Sequence, residues 1–305
     1  MLDRRLVERV ADNLLTEPSL VEKDWHVTRA IGVLADLDHG DVKPAFSGGT
    51  SLSKGWHLIK RFSEDIDFKV SVPAAASRSK DRGRRRLYRE QILTGMQAAE
   101  FELSGTVLKA DEDRFFAADF TYPSEFGAGQ GLRPHLRLEM TMQPTTLPPV
   151  DRPIRSLIAE LQQHPPEVAA FACVDAIETA ADKLSALAWR VCTRQHGAAN
   201  DNPTIVRHLH DLAALESHVA ASSAFVPLVK QAAAADAGRG GGGAPAIASE
   251  RFAMMLDRLE REKFWADEYD AFVRQVSFAR PDEAIDFPAA LAAGKRLIAR
   301  IGETE

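Results

Sequence analysis

Phe46-Ser47-Gly48-Gly49-Thr50-Ser51-Leu52-Ser53-Lys54, followed a few residues later by Arg61-Phe62-Ser63-Glu64-Asp65-Ile66-Asp67-Phe68, is the stretch from which the chain is best read. Downstream of Glu64 the apolar Ile66, Phe68, Val70 and Val72 alternate with Asp65, Asp67, Lys69 and Ser71, the period of a half-buried strand. Both aspartates therefore face one side. Side chains two apart on a strand sit roughly 7 Å apart. Divalent ions about 2.0–2.1 Å from oxygen and about 3.5–4 Å from each other can bridge such a pair. The arrangement suits Mg²⁺ and a triphosphate.

Just upstream, Lys43 to Ser47 reads as a strand end, Gly48-Gly49 as a turn, and Leu52 to Arg61 as a helix with Leu52, Trp56 and Ile59 on one stripe. Two glycines let backbone N–H groups approach a phosphate, Thr50 or Ser51 can cap the helix, and its dipole favours an anion. The segment through Lys54 lacks the second glycine of a Walker A loop. Taken singly these features are weak: an exposed strand face often alternates in this way, and a Gly-Gly pair is usually only a turn.

Together, turn, helix and paired-aspartate strand follow the order used by polymerase β-like nucleotidyltransferases, and the two quoted segments resemble the AbiEii/AbiGii toxin family. Val21-Glu22-Lys23-Asp24-Trp25-His26-Val27-Thr28-Arg29-Ala30 is similar to that family's leading helix. Ala181-Asp182-Lys183-Leu184-Ser185-Ala186-Leu187 with Arg190, and Arg207-His208-Leu209-His210-Asp211-Leu212, resemble its later motifs, in which a lysine and an aspartate join the active site. Lys183 and Asp211 are the matching positions.

The resemblance implies an α+β fold, a polymerase β-like mixed sheet with flanking helices followed by a mostly helical domain. It also implies a Mg²⁺-dependent nucleotidyltransferase acting as the toxin of a toxin–antitoxin or abortive-infection pair, with a separate antitoxin protein and the 3′ end of tRNA as an acceptor. In that scheme Asp65 and Asp67 hold the metal and Gly48, Gly49, Thr50, Ser51 and Ser63 line the nucleotide. Lys183 and Lys54 offset the charge of departing pyrophosphate.

A third carboxylate has a candidate. Leu136, Leu138 and Met140 alternate with His135, Arg137, Glu139 and Thr141, so Glu139 projects on the polar face of another strand. The plain alternative is a surface glutamate beside Arg137. Plain readings also exist for Lys183, as a snorkelling lysine, and for Asp211, as an i,i+4 partner of Arg207.

Composition fits without deciding. The 305 residues are 45% apolar and 27% charged with a net charge of −6, ordinary for a globular chain with room for two cores. The charged N-terminus is no signal peptide and no apolar run is long enough to span a bilayer, so a cytoplasmic protein is expected. Cys173 and Cys192 fall in helical patterns, offer no metal-ligand spacing, and read as core thiols. One run departs from the acidic average: Arg78, Lys80, Arg82, Arg84, Arg85, Arg86 and Arg89 are offset locally only by Asp81. Arg82, Arg84, Arg85 and Arg86 are thus candidate contacts to an RNA backbone, the alternative being a solvated helix start.

Two helices are expected in the first 40 residues, then strands at Phe101 to Lys109, Arg114 to Tyr122 and Leu132 to Met142. Prolines 144, 148 and 149 punctuate a boundary between a domain at 1–150 and a helical one at 151–305, with an Ala/Gly-rich flexible segment near 232–246. Gly127 to Gly131 reads as a hairpin loop. No His-Glu-x-x-His, Gly-x-Ser-x-Gly or dinucleotide fingerprint is present. Two other classes compete: a small-molecule nucleotidyltransferase, for which the arginine run is irrelevant, and a non-catalytic nucleotide- or partner-binding module, against which the intact Asp65 and Asp67 argue.

Overall fold

Alternation in the decisive segment is borne out strictly. Ile66, Phe68 and Val70 of strand β2 (Asp65–Ser71) are buried, while Asp65, Asp67, Lys69 and Ser71 lie on the other face. The computed structural model describes residues 2–303 apart from 128, 130, 131, 200 and 239–242. The chain forms two compact units, Met1–Asp175 and Ala176–Glu305.

The first unit opens with helices α1 (Arg4–Leu14) and α2 (Pro18–Asp36), the two expected from the helical spacing of Leu6, Val10 and Leu14 and of Val27, Ile31 and Leu34; α1 buries Val7, Val10 and Ala11, with Leu6 and Leu14 only half-buried. Strand β1 (Lys43–Ser47) leads through a short helix α3 (Gly48–Lys54) to β2, and then comes the long basic helix α4 (Arg78–Ala98). Strands β3 (Glu102–Ala110), β4 (Phe115–Thr121) and β5 (Leu136–Thr141) follow, then β6 (Val150–Ile154), helix α5 (Leu157–Leu161) and β7 (Val168–Cys173). All seven strands join one sheet in the order β3-β4-β5-β2-β1-β7-β6. The sheet is mixed: β2 runs parallel to β5 and β1 parallel to β7, while the other neighbours are antiparallel. Phe46, Ile66, Phe68, Leu138, Met140, Phe116 and Phe120 form its apolar face, packed with Val27, Ile31 and Leu34 of α2 and Tyr88, Ile92 and Met96 of α4. That burial leaves the opposite face of β2, β5 and β4 for charged side chains.

The second unit is built from helices α6 (Ala176–Thr193), α7 (Arg207–Ala220), α8 (Phe225–Ala237), α9 (Ala248–Arg261), α10 (Phe264–Val276) and α11 (Phe287–Gly302), with a 3-10 turn at Pro203–Val206. Both cysteines are buried and free, and burial pushes the Cys173 thiol up to about 11.

Three sequence expectations shift. The helix placed at Leu52 to Arg61 instead begins at Gly48 and ends at Lys54, with Gly55 as its C-cap, so Ser47 and not Thr50 or Ser51 is the N-cap. The sheet unit runs to Asp175 and not to 150, because Val150–Ile154 and Val168–Cys173 form an antiparallel pair at the sheet edge. Pro153 is tolerated there since an edge strand can spare a donor, and the ladder register shifts at that point. The Ala-rich run 232–237 is the end of α8 and no linker: alanine is the best helix former, Ala233 is buried, and Ser185 Oγ donates to Asp236 at 2.5 Å. Gly240 to Gly242, and residues 128, 130 and 131 of the expected hairpin loop, lie outside the described residues.

Candidate functional site

Asp65 and Asp67 project from the uncovered face of β2, and the register places a specific residue beside each. Across the parallel β2–β5 ladder Asp65 pairs with Arg137 and Asp67 with Glu139; across β5–β4, Arg137 pairs with Asp119 and Glu139 with Ala117. Glu139 therefore stands next to Asp67 on the same face, as the alternation of β5 suggested. Two carboxylates directly opposed on neighbouring strands repel each other, so a cation is needed between or beside them. Arginines supply it within the chain: Arg137 Nε donates to Glu139 Oε1 at 2.8 Å, and Arg133 Nη2 to Asp65 Oδ1. Asp119, which the sequence reading passed over, adds a fourth carboxylate, 3.5 Å from both Arg137 Nη1 and His135 Nε2.

The Gly48-Gly49 turn is fitted against this row. Gly48 adopts a left-handed φ of 74°, and a Cβ there would lie 2.1 Å from Asp67 Oδ2. A Cβ on Gly49 would lie 2.7 Å from the Arg61 guanidinium and 2.8 Å from Ser63 Oγ. Both glycines are thus required by close approach of side chains from the β2 segment. Thr50 is fully buried and its hydroxyl donates to the carbonyls of Ser63, at 3.2 Å, and Asp65. It clamps the start of β2 instead of facing solvent. Ser51 is likewise buried. Lys54 is turned away from the carboxylate row: its Nζ donates to Asp24 Oδ1 at 2.6 Å and to the Arg155 carbonyl at 3.2 Å, with both side chains almost fully buried. Asp24 Oδ2 accepts the Leu157 N–H at 2.7 Å, and burial raises its pKa against the pull of Lys54.

These contacts give the leading helix a role that its sequence alone did not. Besides Asp24, α2 supplies Lys23, whose Nζ donates to Glu64 Oε2 and, at 2.6 Å, to the Arg133 carbonyl. Glu22 accepts from Ser124 Oγ at 2.6 Å and the Glu125 N–H at 2.7 Å. Three successive residues of one helix therefore hold α3, the residue before Asp65, and the loop between β4 and β5. Their apolar neighbours suggested only a buried helix; charged residues inside such a helix were the available signal.

Lys183 and Asp211 come together inside the second unit. Lys183 Nζ lies 2.8 Å from Asp211 Oδ2, with the carboxylate fully buried and the lysine nearly so, while Arg207 reaches Thr204 Oγ1 at 3.2 Å. The i,i+4 reading of Asp211 is thus replaced by a longer-range pair. His208 is buried beside them with Arg190 Nη1 at 3.3 Å from its Nε2, and burial, reinforced by Lys183, holds its pKa well below the usual value.

The arginine run is largely engaged within the chain. Arg82 Nε donates to Asp113 at 2.8 Å, Arg78 to Glu112 at 3.2 Å, Arg85 Nη2 to the Glu112 carbonyl at 3.1 Å, and Arg89 also binds Asp113. Arg84 lies 3.2 Å from Asp41 and Arg86 3.6 Å from Glu90. Arg85 is buried; Arg82, Arg84 and Arg86 keep exposed side chains.

The donor set on β2 and β5 fits a divalent metal: hard carboxylate oxygens at adjacent ladder positions on one strand face. Among the described residues, a different trio, His196, Asp201 and Glu268, places three potential ligand atoms within 4.8 Å of one another. There the cation is already built in. Arg194 bonds Asp201 Oδ1 at 2.5 Å and both oxygens of Glu268 at 2.6 Å, and His196 stacks on Phe264 at 4.0 Å.

A family model described as nucleotidyl transferase AbiEii toxin, type IV TA system, matches residues 33–293. The fold is similar to that of MenT4, a nucleotidyltransferase toxin from Mycobacterium tuberculosis H37Rv, at 19% identity with a TM-score of 0.51 over 99% of each chain. No curated protein sequence matches. Among the described residues no helix is long and apolar enough to cross a membrane.

Proposed function

The chain belongs to the AbiEii nucleotidyl transferase toxin family, and on that premise we propose that it transfers a nucleoside monophosphate from a nucleoside triphosphate to an RNA hydroxyl, with Mg²⁺ bound by Asp65, Asp67 and Glu139. Membership in a type IV toxin–antitoxin family brings an antitoxin partner and a nucleoside triphosphate substrate with it. The single observation that carries the finer reading is the register of Asp67 beside Glu139 with Asp65 one step along the same strand face.

A divalent ion there supplies charge neutralisation at the reacting phosphate and its leaving group. The chain's own residues do the rest. Gly48 and Gly49, packed against Asp67 and Ser63, keep the turn low enough for a triphosphate to lie beside the carboxylates. Ser63 and the backbone of Thr50 and Ser51 line that approach. Glu139 accepts the proton of the attacking hydroxyl, which attacks the α-phosphorus in line as pyrophosphate leaves. Lys183, as the cation offsetting pyrophosphate charge, and Asp211 enter on their motif resemblance alone, the two being ion-paired with each other at 2.8 Å. Lys54, committed to Asp24, serves the reaction by anchoring the turn helix.

The 3′ end of tRNA is the acceptor in this reading, with Arg82, Arg84 and Arg86 as the exposed members of α4 available to its phosphates. Their internal pairing supports a second reading with a small-molecule acceptor, in which Arg84→Gln/Arg86→Gln leaves turnover unchanged. The test is incubation of purified protein with total RNA, Mg²⁺ and each labelled nucleoside triphosphate in turn, beside Asp65→Asn/Asp67→Asn. Labelled tRNA-sized product formed only by the intact protein is expected. No labelled RNA with any of the four nucleotides would overturn the RNA acceptor.

A further inference from the structure

Arg133 is held more firmly than a counter-ion to Asp65 requires. One carboxylate, Glu64, grips it twice over: Oε2 accepts the Arg133 backbone N–H at 3.1 Å and Oε1 accepts Nε at 2.9 Å. That carboxylate is in turn fixed by Lys23, which is fully buried and also donates to the Arg133 carbonyl at 2.6 Å. Main chain, guanidinium root and supporting carboxylate are thus locked by a buried ammonium group. The outer part of the guanidinium, which reaches Asp65 through Nη2, belongs to a side chain that remains one-third exposed at 33%.

A divalent ion on Asp65 and Asp67 competes with Arg133 for the Asp65 carboxylate. Neither Glu64 contact of Arg133 involves Asp65, so the guanidinium root keeps its anchors when the Nη2–Asp65 bond is given up. Of the other cations, Lys54 is committed to Asp24, Arg137 holds Glu139 of the row itself and lies beside Asp119, and the Arg61 guanidinium packs against Gly49. We propose that Arg133 is a phosphate ligand for the nucleoside triphosphate, with Glu64 and Lys23 as its positioning residues; this rests on the nucleotidyl-transfer reading above. A planar fork already fixed at its root loses little freedom on binding phosphate oxygens in two-pronged fashion. Its aim also explains why Lys23 is buried in α2.

The test is equilibrium binding of inorganic tripolyphosphate in the presence of Mg²⁺, with Mg²⁺ binding alone and thermal melting measured in parallel. Arg133→Ala should weaken tripolyphosphate binding about ten- to hundredfold, the loss expected for one charge-assisted pair. Arg133→Lys, which keeps the charge without the fork, should lose less. Glu64→Gln should weaken binding while leaving every Arg133 atom present. In the transfer assay these variants should raise KM for the nucleotide more than they lower kcat. A mere counter-ion predicts the opposite pattern: Arg133→Ala would tighten Mg²⁺ binding and leave tripolyphosphate affinity unchanged, and that result overturns the proposal. Failure of the intact chain to bind tripolyphosphate overturns it too. Binding that depends on Arg133 without any nucleotide transfer supports the ligand role and removes the transferase reading instead.

Discussion

Replacing Gly48 by alanine places a methyl carbon 2.1 Å from Asp67 Oδ2 and 2.9 Å from its Cγ, where ordinary contact starts at 3.4 Å. Two costs follow, and they can be separated. The left-handed φ of 74° costs a non-glycine residue about 1–2 kcal/mol, which lowers the melting temperature by about 2–4 °C per kcal/mol in a unit of this size. The overlap additionally drives the Asp67 carboxylate back by about 1 Å, and a displacement of that order at a reacting centre costs about 10²-fold in rate. Gly105 supplies the control: it has nearly the same φ, 72°, but nothing lies within 4 Å of a Cβ built there. Gly105→Ala should therefore lose stability and keep nucleotide transfer, whereas Gly48→Ala should lose a similar amount of stability and nearly all transfer. Both quantities come from a melting curve and a labelled-nucleotide assay on the two purified variants. Full turnover by Gly48→Ala, or an equal loss in Gly105→Ala, would refute the argument that the turn is shaped by the Asp67 carboxylate.

Lys54→Met leaves Asp24 buried without its cation and should cost about 3–5 kcal/mol in urea unfolding, far more than an exposed lysine would. Arg85→Gln should destabilise through loss of a buried contact to the acidic turn at 111–113, while Arg86→Gln, on an exposed i,i+4 pair, should stay within about 0.5 kcal/mol of the parent. Hydrogen bonding to Arg194 depresses the Asp201 pKa, and hydrogen bonding to Arg82 depresses that of Asp113. Depressed carboxylates stabilise the fold above their unfolded pKa of about 3.9, and that contribution fades as pH falls toward the folded values. The melting-temperature gap between the parent and Asp113→Asn, measured from pH 7 downward, should accordingly close on the acid side of pH 4. Because Arg194 already occupies the cluster of His196, Asp201 and Glu268, Zn²⁺ or Mn²⁺ should not raise the melting temperature of an Asp65→Asn/Asp67→Asn/Glu139→Gln protein.

The carboxylate face was legible because burial enforces alternation: once Ile66, Phe68 and Val70 go inward, Asp65 and Asp67 have only one face left. The same logic on β5 isolated Glu139, although its pairing with Asp67 depends on ladder register, which no local pattern encodes. Asp119 could have been found in the same way, as the charged residue between the buried Ala118 and Phe120. The edge pair β6 and β7 was missed because Pro153 and the alanines of Val168–Cys173 carry no strand signature, and their place is set by the β1 edge they cover. The internal partners of Lys54 and the α4 arginines were hidden for a shared reason. Asp24, Asp41, Glu112 and Asp113 lie far off in sequence, and charge runs are counted locally while ion pairs are formed by the fold. Arg133 stood in no motif at all; only the contacts of Lys23 and Glu64 reveal it.

Nucleotidyl transfer at the β2–β5 carboxylates is tested most directly by incubating the protein with total RNA and the preferred nucleotide labelled either at the α- or at the γ-phosphate, beside Asp67→Asn. The account predicts that α-label enters RNA, that γ-label is released as pyrophosphate, and that Asp67→Asn does neither. Transfer of the γ-label to the acceptor, or α-label incorporation by Asp67→Asn at the parent rate, would contradict it.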